Sequence, residues 1–123
     1  MATQRLTGTY STGYTISPNY ALLKIAPTAE VDGAGVYAAA AVKIENNGLI
    51  LAGPGADGVG GHPRGHAGNA SVYLPTGNRV VNFDTIEAGD GGAGYAYHAG
   101  SYAGAGGAGG AGVMLGALGA VTN

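Results

Sequence analysis

Apolar residues recur at matching positions in three stretches of the chain. The stretches are GVYAAAAVKIENNGLI (35–50), SVYLPTGNRVVNFDTI (71–86) and GVMLGALGAVTN (112–123). Corresponding positions of the first and second stretches are 36 residues apart, and those of the second and third stretches are 41 residues apart. The repeated positions are Val36, Val72 and Val113; Ile44, Val80 and Val121; Asn46, Asn82 and Asn123; and Ile50 with Ile86. Constant offsets of this kind predict a protein built from repeated units.

A shorter match lies upstream of these stretches. Ile25 and Val31 have the same six-residue separation as Ile44 and Ile50, at an offset of 19. This offset predicts the length of the basic repeat, because solenoid repeats start at about 20 residues. Each of the longer offsets then predicts one repeat plus an insertion.

Each copy is predicted to contain three short strands separated by turns. Residues 36–37, 42–44 and 49–51 are rich in β-branched and aliphatic side chains, and Asn-Gly at 47–48 is typical of a turn. Strands this short need to stack on equivalent strands of neighbouring repeats. We therefore expect an all-β fold, a right-handed parallel β-helix (solenoid) with coils of about 19 residues. It is expected to form one domain over residues 1–123.

Two features of the chain concern its ends and corners. Residues 1–24 are expected to form an entry cap, and the stop at Asn123 inside the third copy predicts a fragment of a longer array. Asn46, Asn82 and Asn123 are expected to form a structural column. Stacked asparagine side chains hydrogen-bond along a parallel stack, and asparagine tolerates the left-handed backbone of a corner.

The two insertions, 53–68 and 89–112, are rich in glycine. Their glycines tend to fall at every third position, as at 55, 58 and 61 and again at 104, 107 and 110. Three residues per turn is the repeat of polyproline-II helices, in which glycine permits close packing. The insertions are therefore expected to be polyproline-II-like segments packed beside the solenoid, with flexible surface loops as the alternative.

Composition and charge narrow the classes of function. The 123 residues include 26 glycines and no cysteine, and the net charge is −2. The five basic residues are scattered singly along the sequence, which predicts no nucleic-acid partner. No apolar run of about 18 residues occurs, so no membrane insertion is expected. The absence of cysteine excludes disulfide bonds and thiolate metal ligands.

The sequence resembles known repeat proteins at VKIENNGLILAGPG and VVNFDTIEAGDGG. These blocks resemble the glycine-rich parallel β-solenoid repeats of bacterial surface proteins, of which autotransporter-passenger-like adhesins are the nearest type. Similar blocks occur in phage tail-fibre proteins. The resemblance covers roughly residues 6–123 and implies an architecture and a location at a cell surface, outside the cell or on a virion tail. The second block departs from the pattern, with Phe83-Asp84 in place of Asn-Gly.

Three groups of polar residues are weighed as sites of chemistry. His62 and His66, with His98, form a candidate metal site, but Pro63 excludes the helix that would align the first two. Residues 53–57 partly match a calcium-binding repeat, and the cluster Asp84, Glu87 and Asp90 partly matches a glycosidase carboxylate pair. Solvated loop residues explain each group more simply. We therefore predict no catalytic residue, no metal and no cofactor.

The strongest candidate for binding is an aromatic cluster in the second insertion: Tyr95, Tyr97, His98 and Tyr102. Aromatic side chains on a rigid backbone provide contact area at a low cost in entropy. The expected partners are a glycan or a surface protein. Packing of these rings against the solenoid flank is the alternative.

These features predict a non-enzymatic structural or adhesive module of a bacterial surface repeat protein, in contact with neighbouring repeats of its own chain. The alternative is a phage tail-fibre or tail-tip domain, expected as a homotrimer, that recognises a host glycan or outer-membrane protein. A polysaccharide-active enzyme is the third hypothesis.

Overall fold

The structure, a computed structural model, describes residues 2–76, 78–96, 104–117 and 119–123. The regular secondary structure in these ranges is all β-strand. The strands are β1 (Ala2–Leu6), β2 (Thr9–Tyr10), β3 (Tyr14–Ile16), β4 (Tyr20–Ile25), β5 (Glu30–Val31), β6 (Val36–Ala38), β7 (Lys43–Asn46), β8 (Leu49–Leu51), β9 (Val72–Thr76), β10 (Arg79–Asn82), β11 (Thr85–Glu87), β12 (Val113–Ala117) and β13 (Ala120–Thr122).

The strands form three sheets in which each strand pairs with the strand three places further along the chain. Sheet A has the order β1-β4-β7-β10-β13, sheet B the order β2-β5-β8-β11, and sheet C the order β3-β6-β9-β12. Every pairing between these strands is parallel. The predicted all-β architecture with parallel sheets is therefore confirmed.

The strand register reproduces the two long sequence offsets. In sheet C, Val36 pairs with Val72 and Val72 with Val113. Sheet A keeps both offsets, with Ile44 opposite Val80 and Val80 opposite Val121, and sheet B keeps the first, with Ile50 opposite Ile86. Equivalent residues of successive copies are thus neighbours on adjacent strands.

The register upstream of residue 44 differs in part from the predicted one. The offset of 19 holds between Val31 and Ile50 in sheet B. In sheet A, however, Ile25 pairs with Asn46, and Leu23 takes the place opposite Ile44. The predicted match of Ile25 to Ile44 is therefore wrong by two residues, because the connection between β4 and β5 (26–29) is two residues longer than that between β7 and β8 (47–48).

The core lies between the sheets and consists of aliphatic side chains in register. Leu23, Ile44 and Val80 occupy one column of sheet A, and each is fully buried. Alternation places the intervening residues on the outer face, so Lys43 and Glu45 remain accessible on β7. Burying an aliphatic side chain of this size stabilises a fold by about 1.5–3 kcal/mol.

A ladder of asparagine side chains crosses sheet A at the end of β7 and β10. The Nδ2 of the fully buried Asn46 donates to Oδ1 of Asn82 (2.8 Å) and to the carbonyl oxygen of Thr85 (3.1 Å). Its own Oδ1 accepts from the Gly48 N–H (3.2 Å). The Nδ2 of Asn82 then donates to Oδ1 of Asn123 (2.7 Å). The ladder links three copies and fixes the turns that follow the strands.

Replacing Asn46 by alanine is expected to lower the free energy of unfolding by about 2–3 kcal/mol, because it leaves the buried Gly48 N–H without its acceptor and two oxygens without their donor. Chemical denaturation measures this difference. Asn47→Ala is the matched control. Asn47 is its half-exposed neighbour, so we expect a change below about 0.5 kcal/mol. Equal losses in both variants would show that the ladder adds no stability.

Candidate functional site

Both glycine-rich insertions leave sheet B and return to sheet C. Each contributes an outgoing and a returning segment: 52–58 and 63–71 from the first insertion, and 87–95 and 104–111 from the second. We call these four segments together the glycine layer. The first insertion separates β8 from β9, and the second separates β11 from β12.

Equivalent segments of the two insertions run parallel and are joined at every third residue. In the outgoing pair, the N–H groups of 52, 55 and 58 donate to the carbonyl oxygens of 87, 90 and 93 at 2.7–2.9 Å. In the returning pair, the N–H groups of 65, 68 and 71 donate to the carbonyl oxygens of 105, 108 and 111 at 2.9–3.0 Å. A donor at every third residue matches the three-residue turn of a polyproline-II helix.

Outgoing and returning segments are also joined to each other, in the antiparallel sense. His66 donates to the Ala56 carbonyl oxygen within the first insertion (2.8 Å), and Gly107 donates to that of Gly92 within the second (2.8 Å). Gly92 in turn donates across the two insertions to the carbonyl oxygen of His66 (2.8 Å). Each segment therefore bonds to at least two others, and the layer is a packed structure held by its backbone.

This packing leaves no room for side chains at the interior glycines. A Cβ atom placed on Gly55, Gly65, Gly92 or Gly107 would come closer than 3.0 Å to a backbone carbonyl oxygen of a neighbouring segment. In the same returning segment, a Cβ on Gly109 would meet nothing nearer than 3.9 Å. The period of three seen in the sequence thus marks positions where two backbones touch at 55 and 58 and at 104, 107 and 110, but not at Gly61 in the first tip.

The hydrogen-bond register locates a difference in length between the insertions. Donor and acceptor keep an offset of 35 in the outgoing pair, up to Gly58 and Ala93, and of 40 in the returning pair, from Gly65 and Ala105 onward. The second insertion is therefore five residues longer, and the extra residues lie between Ala93 and Ala105. The hydrogen-bonded positions of the layer correspond one to one in the two insertions, so the difference in length lies between Ala93 and Ala105, at the distal end.

The distal turn of the first insertion, which we call the first tip, consists of residues 59–62. Val59 and His62 exchange two backbone hydrogen bonds (2.9 and 2.8 Å) across Gly60-Gly61, and the Val59 side chain is 60% exposed. A groove of about 450 Å³ beside it is lined by Val59, His62, Arg64, Gly65 and His66. The groove therefore combines an apolar side chain, two imidazoles and a guanidinium group.

Tyr95 lies next to the first tip. Its backbone N–H donates to the Pro63 carbonyl oxygen (2.7 Å), and its side chain is 39% exposed. The other predicted binding residues, Tyr97, His98 and Tyr102, lie outside the described residues. The structure thus places one residue of the predicted cluster beside Val59 and Arg64, which the sequence analysis did not single out. Val59 is the only β-branched residue among positions 53–68, and that contrast was the available signal.

The polar groups weighed as sites of chemistry have structural surroundings. Asp57, from the partial calcium motif, accepts the Ala93 N–H at Oδ1 (2.8 Å) and so ties the two outgoing segments together. Asp84 accepts the hydroxyl of Thr85 (3.1 Å) in the turn before β11. Within the described residues, no three His, Cys, Asp or Glu side chains are grouped so as to hold a metal ion.

Sheet C carries a second accessible surface that the sequence analysis missed. Tyr37 and Tyr73 are register neighbours on its outer face, and their rings stack with centroids 5.7 Å apart and an interplanar angle of 27°. Met114 follows in the same column, and all three side chains are among the exposed large hydrophobics. The offsets of 36 and 41 also relate these three residues, so the repeat itself held this signal.

Searches against known proteins returned no matching family model, no matching curated protein and no matching solved structure. Within the described residues, no helix has the length and apolar character needed to cross a membrane.

Gly107→Ala is expected to destabilise the glycine layer by about 1–3 kcal/mol, because the added methyl group would overlap the His66 carbonyl oxygen and force two segments apart. Amide hydrogen exchange at 53–69 and 89–96 should therefore accelerate. The matched control is Gly109→Ala, in the same segment but with open space beside it, for which protection should stay unchanged. Equal protection in both variants would contradict close packing of the layer.

Proposed function

We propose that this chain is a non-enzymatic structural and adhesive module of a bacterial cell-surface repeat protein. In this proposal it is built as a right-handed parallel β-solenoid that presents the glycine layer and its first tip to a partner. The observation that carries the proposal is the groove that Val59, His62 and Arg64 line at the distal end of the glycine layer, with the backbone of Tyr95 hydrogen-bonded to the adjoining Pro63.

The strand order supports the solenoid. A chain that visits sheets A, B and C in turn and then repeats the cycle winds around a common core. Parallel strands joined by crossover connections are right-handed in about 98% of cases, which favours the right-handed form. The register defines one turn from Val31 to Ile50 and another from Leu23 to Ile44. Both turns are close to the roughly 20 residues of short solenoid repeats.

The layer supports an adhesive role because of where it puts its bulky side chains. Its interior glycines have no room for a side chain, and its segments are held together by backbone hydrogen bonds. Recognition surfaces commonly use exposed aromatic and guanidinium groups that are held by a rigid scaffold. The tip residues offer this chemistry to a glycan or to a surface protein.

The surroundings of the carboxylates support a non-enzymatic role. Asp57 holds a backbone N–H within the layer, and Asp84 holds a hydroxyl group in a turn. Glycosidic hydrolysis uses two carboxylates that flank the scissile bond. These side chains stabilise local backbone structure instead.

A tail-fibre domain that acts as a homotrimer is the second candidate function, and the outer face of sheet C favours it. The strands of sheet C contain no charged residue, and the column of Tyr37, Tyr73 and Met114 is accessible. Interfaces between identical subunits are depleted of charge and enriched in tyrosine and methionine at their centres. This face therefore has the composition of a subunit contact.

Val59→Ser and Tyr95→Ser are each expected to lower adhesion by about fivefold or more, as loss of a central contact residue does. The measurement is binding of the labelled chain to panels of bacterial cells and of immobilised bacterial surface glycans. Phe83→Ser is the matched control. Phe83 is 68% exposed, but it lies in the turn between β10 and β11, away from the tips.

Adhesion that survives both tip substitutions, or that falls equally in the Phe83 variant, would refute the tips as the contact surface. Failure of the unmodified chain to bind any cell or glycan in the panels would count against an adhesive role.

Light scattering after size exclusion distinguishes the two candidate functions. The surface-module proposal predicts the mass of a single chain, 11.9 kDa, at micromolar concentration. The tail-fibre alternative predicts three times that mass, and Tyr73→Lys should then return the protein to a monomer, because a buried unpaired charge opposes association. A trimer that persists in this variant would exclude sheet C as its interface.

A further inference from the structure

The basic residues that are scattered in the sequence are gathered on one face of the structure. Four of the five basic residues lie at outward positions of sheet A, on the four consecutive strands β1, β4, β7 and β10. They are Arg5, Lys24, Lys43 and Arg79. We call this set the basic stripe. The fifth basic residue, Arg64, lies in the tip groove.

The register brings like charges directly opposite each other within the stripe. Arg5 pairs with Lys24 on the neighbouring strand, and Lys43 pairs with Arg79. Paired residues of this kind are about 4.8 Å apart across the sheet. Like charges placed opposite each other in a sheet are destabilising. The fold therefore carries two repulsive pairs on a single face.

A single acidic side chain offsets part of this charge. Glu45 lies between the two pairs and bonds to Lys43 (2.6 Å) and to Lys24 (3.2 Å). The hydrogen bonds from Lys43 and then Lys24 lower the pKa of its carboxyl group below the ordinary value, so Glu45 is ionised at neutral pH. Both ion pairs within the described residues end on Glu45, which leaves Arg5 and Arg79 without an acidic partner there.

The remaining acidic residues lie elsewhere in the molecule. Glu30 and Glu87 are on strands of sheet B, and the four aspartates lie between strands or in the glycine layer. The chain as a whole carries a net charge of −2, although the stripe with Glu45 carries three positive charges in excess. Charge is therefore separated between one sheet face and the rest of the protein.

We propose that the outer face of sheet A, centred on the basic stripe, is a docking surface for a linear anionic polysaccharide. This surface is separate from the tips, because the insertions leave and return at sheets B and C. An extended chain with an anionic group at regular intervals matches a row of cations that recurs on successive strands. Thr3 and Thr122 add hydroxyl groups in the same two outward columns.

The other residues of these columns favour a polysaccharide over nucleic acid or a membrane. The two columns contain no aromatic side chain, whereas single-stranded nucleic acid is held largely by stacking on aromatic rings. The apolar residues of the columns are Leu22, Val81 and Ala120, of which Leu22 and Val81 are half-buried. Surface binding to a membrane needs a larger apolar face that enters the headgroup region.

The test measures binding of the full chain to immobilised alginate, a linear polyuronate, at about 50 and about 200 mM salt, with neutral dextran as the polymer control. Arg79→Gln is expected to weaken alginate binding about threefold at low salt and to reduce its salt dependence. Thr12→Glu makes the same change in net charge on an exposed turn between sheets B and C, and binding should stay within error. Thermal unfolding checks that both variants are folded.

Glu45→Gln is expected to change alginate binding in the opposite direction. It removes the one negative charge inside the stripe and releases Lys24 and Lys43, so alginate binding should become about threefold tighter. A merely structural role of the stripe would not produce a gain. Val59→Ser, which tests the tips, should leave alginate binding unchanged, so failure of one proposal is distinguishable from failure of the other.

Several outcomes would overturn the proposal. They are no binding of alginate at the lower salt concentration, equal losses in Arg79→Gln and Thr12→Glu, or weaker binding in Glu45→Gln. Preferential binding of a single-stranded oligonucleotide, or of vesicles made from phosphatidylcholine and phosphatidylglycerol in a three-to-one ratio, would assign the face to nucleic acid or to a membrane instead.

Discussion

Backbone hydrogen bonding between equivalent segments at a constant offset is the constraint on which the structure depends. In sheets A, B and C it aligns apolar residues into columns and so creates the core. The same bonding continues without a break into the glycine layer. Gly65, Gly68, Ser71 and Val72 all donate to carbonyl oxygens at one and the same offset along the chain, although the first two lie in the layer and Val72 begins β9. One register therefore governs two kinds of secondary structure.

The sequence predicted the part of the fold that this register controls directly. Offsets of 36 and 41 are visible because Val36, Val72 and Val113 must fill equivalent space in a column. The predicted match of Ile25 to Ile44 was wrong for a physical reason. Leu23 and Ile25 are both fully buried on β4, and a shift by two residues leaves every side chain on its own face. The alternation of buried and exposed residues therefore fits two registers equally well: Ile44 opposite Leu23, and Ile44 opposite Ile25.

Surface features were harder to predict, because they depend on register and on which face a residue occupies. Arg5 and Lys24 are 19 residues apart in the sequence, as are Val31 and Ile50 in the core of sheet B. Lys43 and Arg79 are 36 residues apart, as are Ile44 and Val80 in the core of sheet A. Each looks isolated in the sequence, and only stacking shows that they form a row. Tyr95 was found because aromatic residues contrast with glycine. Val59 and Arg64 were missed because only the fold of the first insertion brings them to one groove, although the β-branched side chain of Val59 already stood out among its neighbours.

The exclusion of side chains from the glycine layer also determines which substitutions evolution can retain. At Gly92 or Gly107 every replacement adds at least a methyl group where a carbonyl oxygen already lies, so these positions are closed to variation. At Gly60 and Gly61 of the first tip a Cβ atom would meet nothing within 4 Å, and the five-residue difference in length between the insertions leaves the layer register intact. Sequence change is thereby directed to the turns, and a new tip can be acquired by insertion, deletion or exchange of a few residues without redesign of the scaffold that holds it.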